Sequence, residues 1–147
     1  LTRPEFEMLT AWLERRVSRE PLQHILGVAP FYGLELAVNS HVLIPRPETE
    51  RLVELVLETI NPIKNPKILD VGTGSGAIAL AIKHEHPDAR ILATDVSGKA
   101  LEIAKQNAKK YDLELIFLES NLLEHPDAQT FAKTCDVLVA NLPYLPL

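Results

Sequence analysis

The sequence predicts an α/β protein whose core is a doubly wound, mostly parallel sheet, and three observations carry that prediction. An apolar run, Lys67 to Val71, leads straight into a glycine loop and then into a helical pattern. Apolar strands and amphipathic helices alternate, with short links, along the chain that follows. Polar residues stand where the predicted strands end, which is the ligand-binding edge of such sheets. We therefore expect a binding site at the carboxyl ends of the strands.

Composition narrows the range of functions. The chain has 147 residues, 46% of them hydrophobic, which is enough for one sizeable core and a small appendage. No apolar run approaches the roughly 18 residues of a membrane span. The net charge of -5 does not favour nucleic acid as a partner. The single cysteine, Cys135, has no disulfide partner within the chain, so we expect a reducing, cytoplasmic setting.

Helices are predicted over residues 1–28. Thr2 and Glu5 form a capping box, and a short second helix stops at Gly27. The apolar stripe of the first helix consists of Phe6, Leu9, Leu13 and Val17. So few residues make only part of a helical domain. The first residue is Leu1 rather than Met, so we expect the sequence to be a piece of a longer chain.

A β-hairpin is predicted over residues 29–46, linking the helical piece to the core. Its turn is placed at Asn39 and Ser40, with Val42 to Ile44 as the returning arm. The first arm carries Phe31, Leu34, Leu36 and Val38.

The segment R-P-E-T-E, residues 46–50, begins the next helix. Pro47 suits a first helical turn, and Glu48 and Glu50 suit the positive end of the helix dipole. On these residues alone, helix initiation is the favoured explanation. We expect this helix to be largely buried, because its apolar residues are Leu52, Val53, Leu55, Val56, Leu57 and Ile60.

The glycine loop fits two cofactors. Gly72, Gly74 and Ala77 match the dinucleotide fingerprint G-x-G-x-x-G/A, whereas Gly72, Gly74 and Gly76 match the G-x-G-x-G of loops that hold S-adenosylmethionine. The loop alone does not choose between them.

Further polar residues are predicted to meet the loop at the same sheet edge. Asp95 follows the strand Arg90 to Thr94 and lies 23 positions after Gly72, near the spacing at which an acidic residue reaches ribose hydroxyls. Capping of the next helix is the alternative role for it. Strands over 113–118 and 136–140 should end close to Asn121 and Asn141.

The tail Asn141-Leu142-Pro143-Tyr144 has the features of a pocket for a planar nitrogen, as in a carboxamide or an adenine amino group. Such a nitrogen is a poor nucleophile, because its lone pair is delocalised. The Asn141 side-chain oxygen and the Leu142 carbonyl are two acceptors that can orient its N–H groups, and Tyr144 can stack on its plane. A plain turn with an aromatic plug is the alternative.

Six motifs together resemble the HemK-type protein-glutamine N5-methyltransferases, and V-L-I-P-R-P-E-T-E is the specific mark of those acting on peptide chain release factors. The motifs are R-E-P-L-Q-H-I-L-G (19–27), F-Y-G (31–33), V-L-I-P-R-P-E-T-E (42–50), I-L-D-V-G-T-G-S-G-A-I-A-L (68–80), D-V-S-G-K-A-L-E-I-A-K-Q-N (95–107) and the N-x-P-Y tail. The resemblance implies a Rossmann-like class I methyltransferase sheet over residues 47–147, truncated after its fourth strand. Residues 1–28 would be part of a substrate-recognition domain.

The resemblance also implies roles for individual residues. The cofactor would be S-adenosylmethionine, with its ribose on Asp95, and no metal would take part. Its other contacts would be Gly72, Thr73, Gly74, Ser75, Gly76, Asn121, Leu122 and Asn141. The glutamine amide of a release factor would lie against Asn141, Leu142, Pro143 and Tyr144, with Asn141 and Tyr144 as the catalytic pair. Neither nucleic acid nor a membrane is an expected partner, and the oligomeric state is left open, with a monomer as the expectation.

Three departures keep alternatives open. The family usually has N-P-P-Y, whereas position 142 is Leu; a backbone carbonyl role survives that change, and Pro143 still restricts Leu142 to an extended conformation. N-L-P-Y occurs in adenine dimethyltransferases of ribosomal RNA, which makes N6-adenine methylation of RNA or DNA an alternative. An acidic residue is usual where Asn121 stands. A fragment that binds cofactor without turnover, and a nicotinamide enzyme, are the remaining hypotheses.

Overall fold

The computed structural model describes residues 1–143, so the predicted site residue Tyr144 lies outside the described residues. A single 3₁₀ turn (Pro47–Thr49) precedes the third α-helix. The helices and strands are α1 (Arg3–Val17), α2 (Leu22–Leu26), β1 (Val28–Phe31), β2 (Leu34–Ala37), α3 (Glu50–Ile60), β3 (Lys67–Val71), α4 (Ala77–Glu85), β4 (Arg90–Asp95), α5 (Gly98–Lys110), β5 (Ile116–Glu119), α6 (Pro126–Ala132) and β6 (Val137–Ala140). The predicted division of the chain at residues 28 and 46 stays a prediction.

The main sheet has four parallel strands in the order β5-β4-β3-β6. In register, Val71 at the end of β3 pairs with Thr94 on one side and Ala140 on the other, and Asp95 pairs with Glu119. The carboxyl ends of all four strands therefore lie along one edge. The predicted α/β fold class is confirmed.

Helices cover both faces of this sheet. Ile68 and Ile91 face one layer, which contains α4 and α5, whereas Leu69 and Leu92 face the layer that contains Phe131 of α6. Residues 77–82 of α4 are all buried. Each fully buried Leu or Ile contributes about 1.5–3 kcal/mol, so this central layer supplies much of the stability.

Helix α3 is buried on one face only, which corrects the expectation that it is largely buried. Val53, Val56 and Ile60 are buried, but Leu55 is 45% exposed. The helix lies beside α4 at the outside of its layer, so only the residues facing α4 and the sheet lose contact with water.

The hairpin exists, but its predicted position is wrong. Strands β1 and β2 pair antiparallel with Phe31 opposite Leu34, and the turn is Tyr32-Gly33. Both turn residues have positive φ (46° and 76°), as a two-residue type I′ turn requires. Residues 38–46 form no strand; Val38 and Val42 instead pack with Ala29 and Ala100. Side chains three positions apart in one strand point to opposite faces of the sheet, yet Phe31 and Leu34 are both buried. This spacing marks the true turn.

The helices before the hairpin form as predicted. The Thr2 backbone N–H donates to Glu5 Oε2 at 2.7 Å, which completes the carboxylate half of the capping box. Gly27 ends α2 in the left-handed conformation, with φ of 74°. Within residues 1–143, α1 buries none of its side chains. None of the helices described within residues 1–143 combines the length and the hydrophobicity that a membrane span requires.

Candidate functional site

The glycine loop is tied to the neighbouring strand by its own backbone. The Gly72 and Thr73 N–H groups both donate to the Thr94 carbonyl, at 2.9 and 2.8 Å. Gly74 has φ of 57°, and a Cβ added there would meet no atom within 4 Å. A Cβ at Gly76, in contrast, would lie 3.0 Å from Leu80. Gly74 therefore keeps the loop open toward a ligand, whereas Gly76 allows the close packing of helix α4.

The Asp95 carboxylate holds the loop and the next helix together. Its Oδ2 accepts a hydrogen bond from the Gly74 N–H and its Oδ1 accepts one from the Ser97 N–H, each at 2.9 Å. An ionised carboxylate offers about four acceptor positions, so two remain for hydroxyl groups of a ligand. The geometry is thus compatible with the predicted ribose contact. The hydrogen bond from the Ser97 N–H also fits the alternative role, capping of helix α5.

Asp70 is a buried carboxylate bonded to the glycine loop, and the sequence prediction did not single it out. It is 1% exposed, and its Oδ2 accepts a hydrogen bond from the Thr73 hydroxyl at 2.7 Å. Its Oδ1 has no hydrogen-bond partner within residues 1–143. Burial raises the pKa of Asp70 to about 6, although the Thr73 hydrogen bond opposes that shift. The sequence signal that could have identified Asp70 is a carboxylate inside the apolar run I-L-D-V.

The tail lies across the loop and the R-P-E-T-E segment. Asn141 Nδ2 donates to Thr49 Oγ1 at 3.3 Å. The Leu142 side chain lies over Gly72, where an added Cβ would be only 2.5 Å from Leu142 Cδ2. Pro143 is exposed. Two residues of the predicted pocket, Asn141 and Leu142, are therefore next to the predicted cofactor loop.

A cavity of about 60 Å³ forms where three distant segments meet. These segments are residues 43–46 with Thr49, residues 72–75 at the glycine loop, and Asn141 of the tail. R-P-E-T-E thus contributes to the site wall, which the interpretation as helix initiation did not include. Asp95, Asn121 and Leu122 do not line this cavity.

Asn121 and Leu122 lie farther along the same sheet edge. The Ser120 N–H donates to the Asp95 carbonyl at 2.9 Å, which fixes the start of this segment beside β4. Asn121 is exposed, and its Nδ2 donates to Glu124 Oε1 at 2.9 Å. Leu122 is exposed and has a positive φ of 50°. The segment therefore lies next to Asp95, at the end of β4.

Two polar side chains hold the hairpin against the site, and neither role was predicted. The buried Asn107 accepts from the Ala37 N–H and donates to the carbonyls of Ala37 and Ser75, at 2.7, 3.0 and 2.9 Å. Glu50 Oε1 accepts from the Tyr32 N–H at 2.8 Å. A polar residue among the small residues of the α5 face was the only sequence signal for Asn107.

The family match rests on the segment that carries the site. Residues 48–145 match the methyltransferase small domain family, a span that includes the glycine loop, Asp95 and the tail. The chain belongs to this methyltransferase family. Residues 1–27 match the PrmC N-terminal domain.

Relatives of this chain are named release factor glutamine methyltransferase. The one from Deinococcus radiodurans is 42% identical over 138 residues, which are 92% of this chain and 48% of the relative. The one from Flavobacterium psychrophilum is 44% identical over 131 residues, or 87% of this chain and 45% of the relative. The chain therefore spans about half the length of these curated relatives.

A solved structure of a SAM-dependent methyltransferase from Agrobacterium tumefaciens has the same fold. Its TM-score is 0.62 at 19% identity, covering 77% of this chain and 38% of that one. At this identity the likeness concerns the fold alone.

Proposed function

We propose that the protein transfers a methyl group from S-adenosylmethionine to the side-chain amide nitrogen of a glutamine in a peptide chain release factor. One observation carries the proposal: the small cavity joins R-P-E-T-E, the glycine loop and Asn141. The names of the relatives support the choice of substrate. Because the chain spans about half of those relatives, the activity of the whole protein is part of the proposal.

The loop has the features that the donor requires. Gly74 leaves its face open, and Asp95 keeps two acceptor positions for the ribose hydroxyls. Asn121 and Leu122, in the segment next to Asp95, would border the adenine. S-adenosylmethionine supplies an electrophilic methyl group on a sulfonium. The residues around the cavity would hold that end of the donor, and no step requires a metal.

The substrate amide would be oriented by acceptors in the tail. Because Asn141 Nδ2 donates to Thr49, its Oδ1 is left to accept from an amide N–H. The Leu142 carbonyl is the proposed second acceptor, and Tyr144 the proposed stacking surface. In the transfer, a nitrogen–carbon bond forms, the sulfur–carbon bond breaks, and the nitrogen loses one proton to water. Positioning provides most of the rate enhancement.

The test is a transfer assay with two candidate acceptors. The protein is incubated with labelled methyl donor and with either a purified release factor or ribosomal RNA. We expect label only in the release factor, with peptide mass spectrometry placing one methyl group on a glutamine, and loss of label in Asn141→Ala. Transfer to RNA alone would favour N6-adenine methylation instead. If calorimetry detects binding of the donor but neither acceptor is labelled, the chain is a fragment that binds cofactor without turnover.

A further inference from the structure

A second and larger cavity lies away from the glycine loop. It has a volume of about 650 Å³ and lies between α5 and the amino-terminal ends of β4 and β5. No residue of the loop or of the tail lines it within residues 1–143. The groove has the volume of a typical ligand pocket, yet it is at the sheet end opposite to the proposed methyl-transfer site.

The charge of this groove differs from that of the whole chain. Its lining includes four cationic side chains (Lys83, Arg90, Lys105 and Lys109) and one acidic side chain, Glu114. The chain as a whole carries a net charge of -5. A positive groove in an acidic protein attracts an acidic ligand, whereas the acidic remainder of the surface repels one.

Three of these cations are available to a partner. Arg90, Lys105 and Lys109 are exposed, and none forms an ion pair within the described part of the chain. Lys83 is different, because its Nζ donates to the carbonyls of Pro87 and Ala89 at 2.6 and 2.7 Å. Lys83 therefore forms part of the wall, and the other three provide free positive charge.

The groove also borders a sheet edge. Within residues 1–143, β5 pairs with β4 alone, so one side of its backbone has no strand partner. Ile116 on this strand is 57% exposed. Leu113, Leu115 and Phe117 add apolar surface to the lining. An extended peptide can use both features, because its backbone pairs with the edge and alternate side chains enter the groove.

We propose that this groove binds an extended acidic segment of a partner protein, which adds as a strand beside β5 and places carboxylates against Arg90, Lys105 and Lys109. An acidic peptide is favoured over nucleic acid because a sheet edge and an aliphatic floor offer pairing and burial that a phosphate backbone does not use. The proposal is independent of the methyl-transfer reaction, since the two cavities share no lining residue.

The test uses a fluorescent peptide of alternating glutamate and valine. We expect saturable binding by fluorescence anisotropy at low salt, weakened as salt is added. The double substitution Lys105→Glu with Lys109→Glu should weaken it by about tenfold or more, because two attractive contacts become repulsive. The matched control, Lys64→Glu with Lys133→Glu, changes net charge equally at exposed positions outside the groove and should bind as the parent does.

A second peptide distinguishes strand pairing from simple charge attraction. Methylation of alternate backbone nitrogens removes the donors that pair with an edge strand and should abolish binding. Any of three results would overturn the proposal. These are equal weakening by both double substitutions, full binding of the N-methylated peptide, and no binding of the parent peptide at low salt. Tighter, groove-dependent binding of an oligouridylate would identify a nucleic-acid surface instead. Calorimetry with S-adenosylmethionine on the same variants tests the proposed methyl-transfer site separately. The affinity for S-adenosylmethionine should be the same as in the parent protein.

Discussion

The glycine-loop end of the sheet and helix α1 show two different relations between sequence and structure. At the loop, side chains from distant segments bond to backbone groups: Asp95 to Gly74, and Asn107 to Ser75. Helix α1 has a regular pattern and a good cap, but it buries no side chain within the described residues. Local pattern is sufficient to form a helix, whereas a site also requires long-range polar contacts. Substitutions in the two regions should therefore differ sharply in effect.

The largest effect on stability is expected for Asn107→Ala. This change removes three hydrogen bonds and leaves the part-buried N–H and C=O of Ala37 and the buried C=O of Ser75 without these partners. We expect the free energy of unfolding to fall by about 3 kcal/mol or more, measured by urea denaturation. Gln106→Ala, at the exposed neighbouring position, is the control and should change it little. A loss below about 1 kcal/mol would show that water replaces these bonds and that the contrast with α1 is overstated.

Asp70→Asn should change how stability depends on pH. The folded-state pKa of Asp70 is about 6 against an ordinary value of 3.8, so the folded protein binds this proton more tightly than the unfolded chain does. This group therefore makes stability fall as pH rises from about 4 to about 6, by roughly 2–3 kcal/mol. The difference between parent and variant unfolding free energies should change by that amount across the window and be flat above it.

The comparison of Asp70 with Glu20 supplies the control. Glu20 is partly exposed and follows the end of α1, and its pKa is lowered by its hydrogen bond with Arg15. Its contribution to stability therefore has the opposite sign, present at neutral pH and lost on acidification. If Asp70→Asn and Glu20→Gln gave pH profiles that moved in the same direction, the buried carboxylate at the loop would not be the group responsible.

Thr49→Val tests whether R-P-E-T-E positions Asn141. The change keeps the shape of the side chain and removes the partner of Asn141 Nδ2. On the proposed function, the rate constant for methyl transfer should fall about tenfold, while donor binding stays unchanged. Thr49→Ser keeps the hydroxyl and should restore most of the rate. Equal rates for Val and Ser variants would mean that Thr49 only fills space.

The smallest effect is expected for Leu13→Ala in α1. Leu13 is 56% exposed, so truncation removes little buried surface, and alanine favours helix. The free energy of unfolding should change by less than about 0.5 kcal/mol in the same urea experiment. A larger loss would indicate that the apolar stripe of α1 is covered in solution, and the contrast between the two regions would then shrink.

Most of the core was predictable because its elements are local in sequence. The run at β3, the capping box of Thr2 with Glu5 and the end of α2 at Gly27 follow from a few neighbouring residues, and the structure has all three. The predicted hairpin is misplaced because Leu34, Leu36 and Val38 continue the apolar series that begins at Phe31. Phe31 and Leu34 are three positions apart, buried and paired with each other, which places the turn at the two residues between them.

The contacts of the site were less predictable. Asn141 meets Thr49 across 92 positions, and Asn107 meets Ala37 across 70. No pattern within one segment indicates such pairs, since they depend on which strand neighbours which. Resemblance pointed to R-P-E-T-E as a mark of substrate, but its packing against the loop is visible only in the folded chain. The predicted roles of individual site residues stay predictions.

The hydrogen bond from Gly74 to Asp95 also has a consequence for affinity. A glycine-rich segment loses more conformational freedom than any other when it becomes ordered. Here a carboxylate of the protein itself holds that segment, because Asp95 Oδ2 accepts a hydrogen bond from the Gly74 N–H at 2.9 Å. The entropy of ordering is therefore spent during folding, and a ligand that enters the loop meets a preorganised surface. Weakening this one contact would transfer that entropic cost to every binding event.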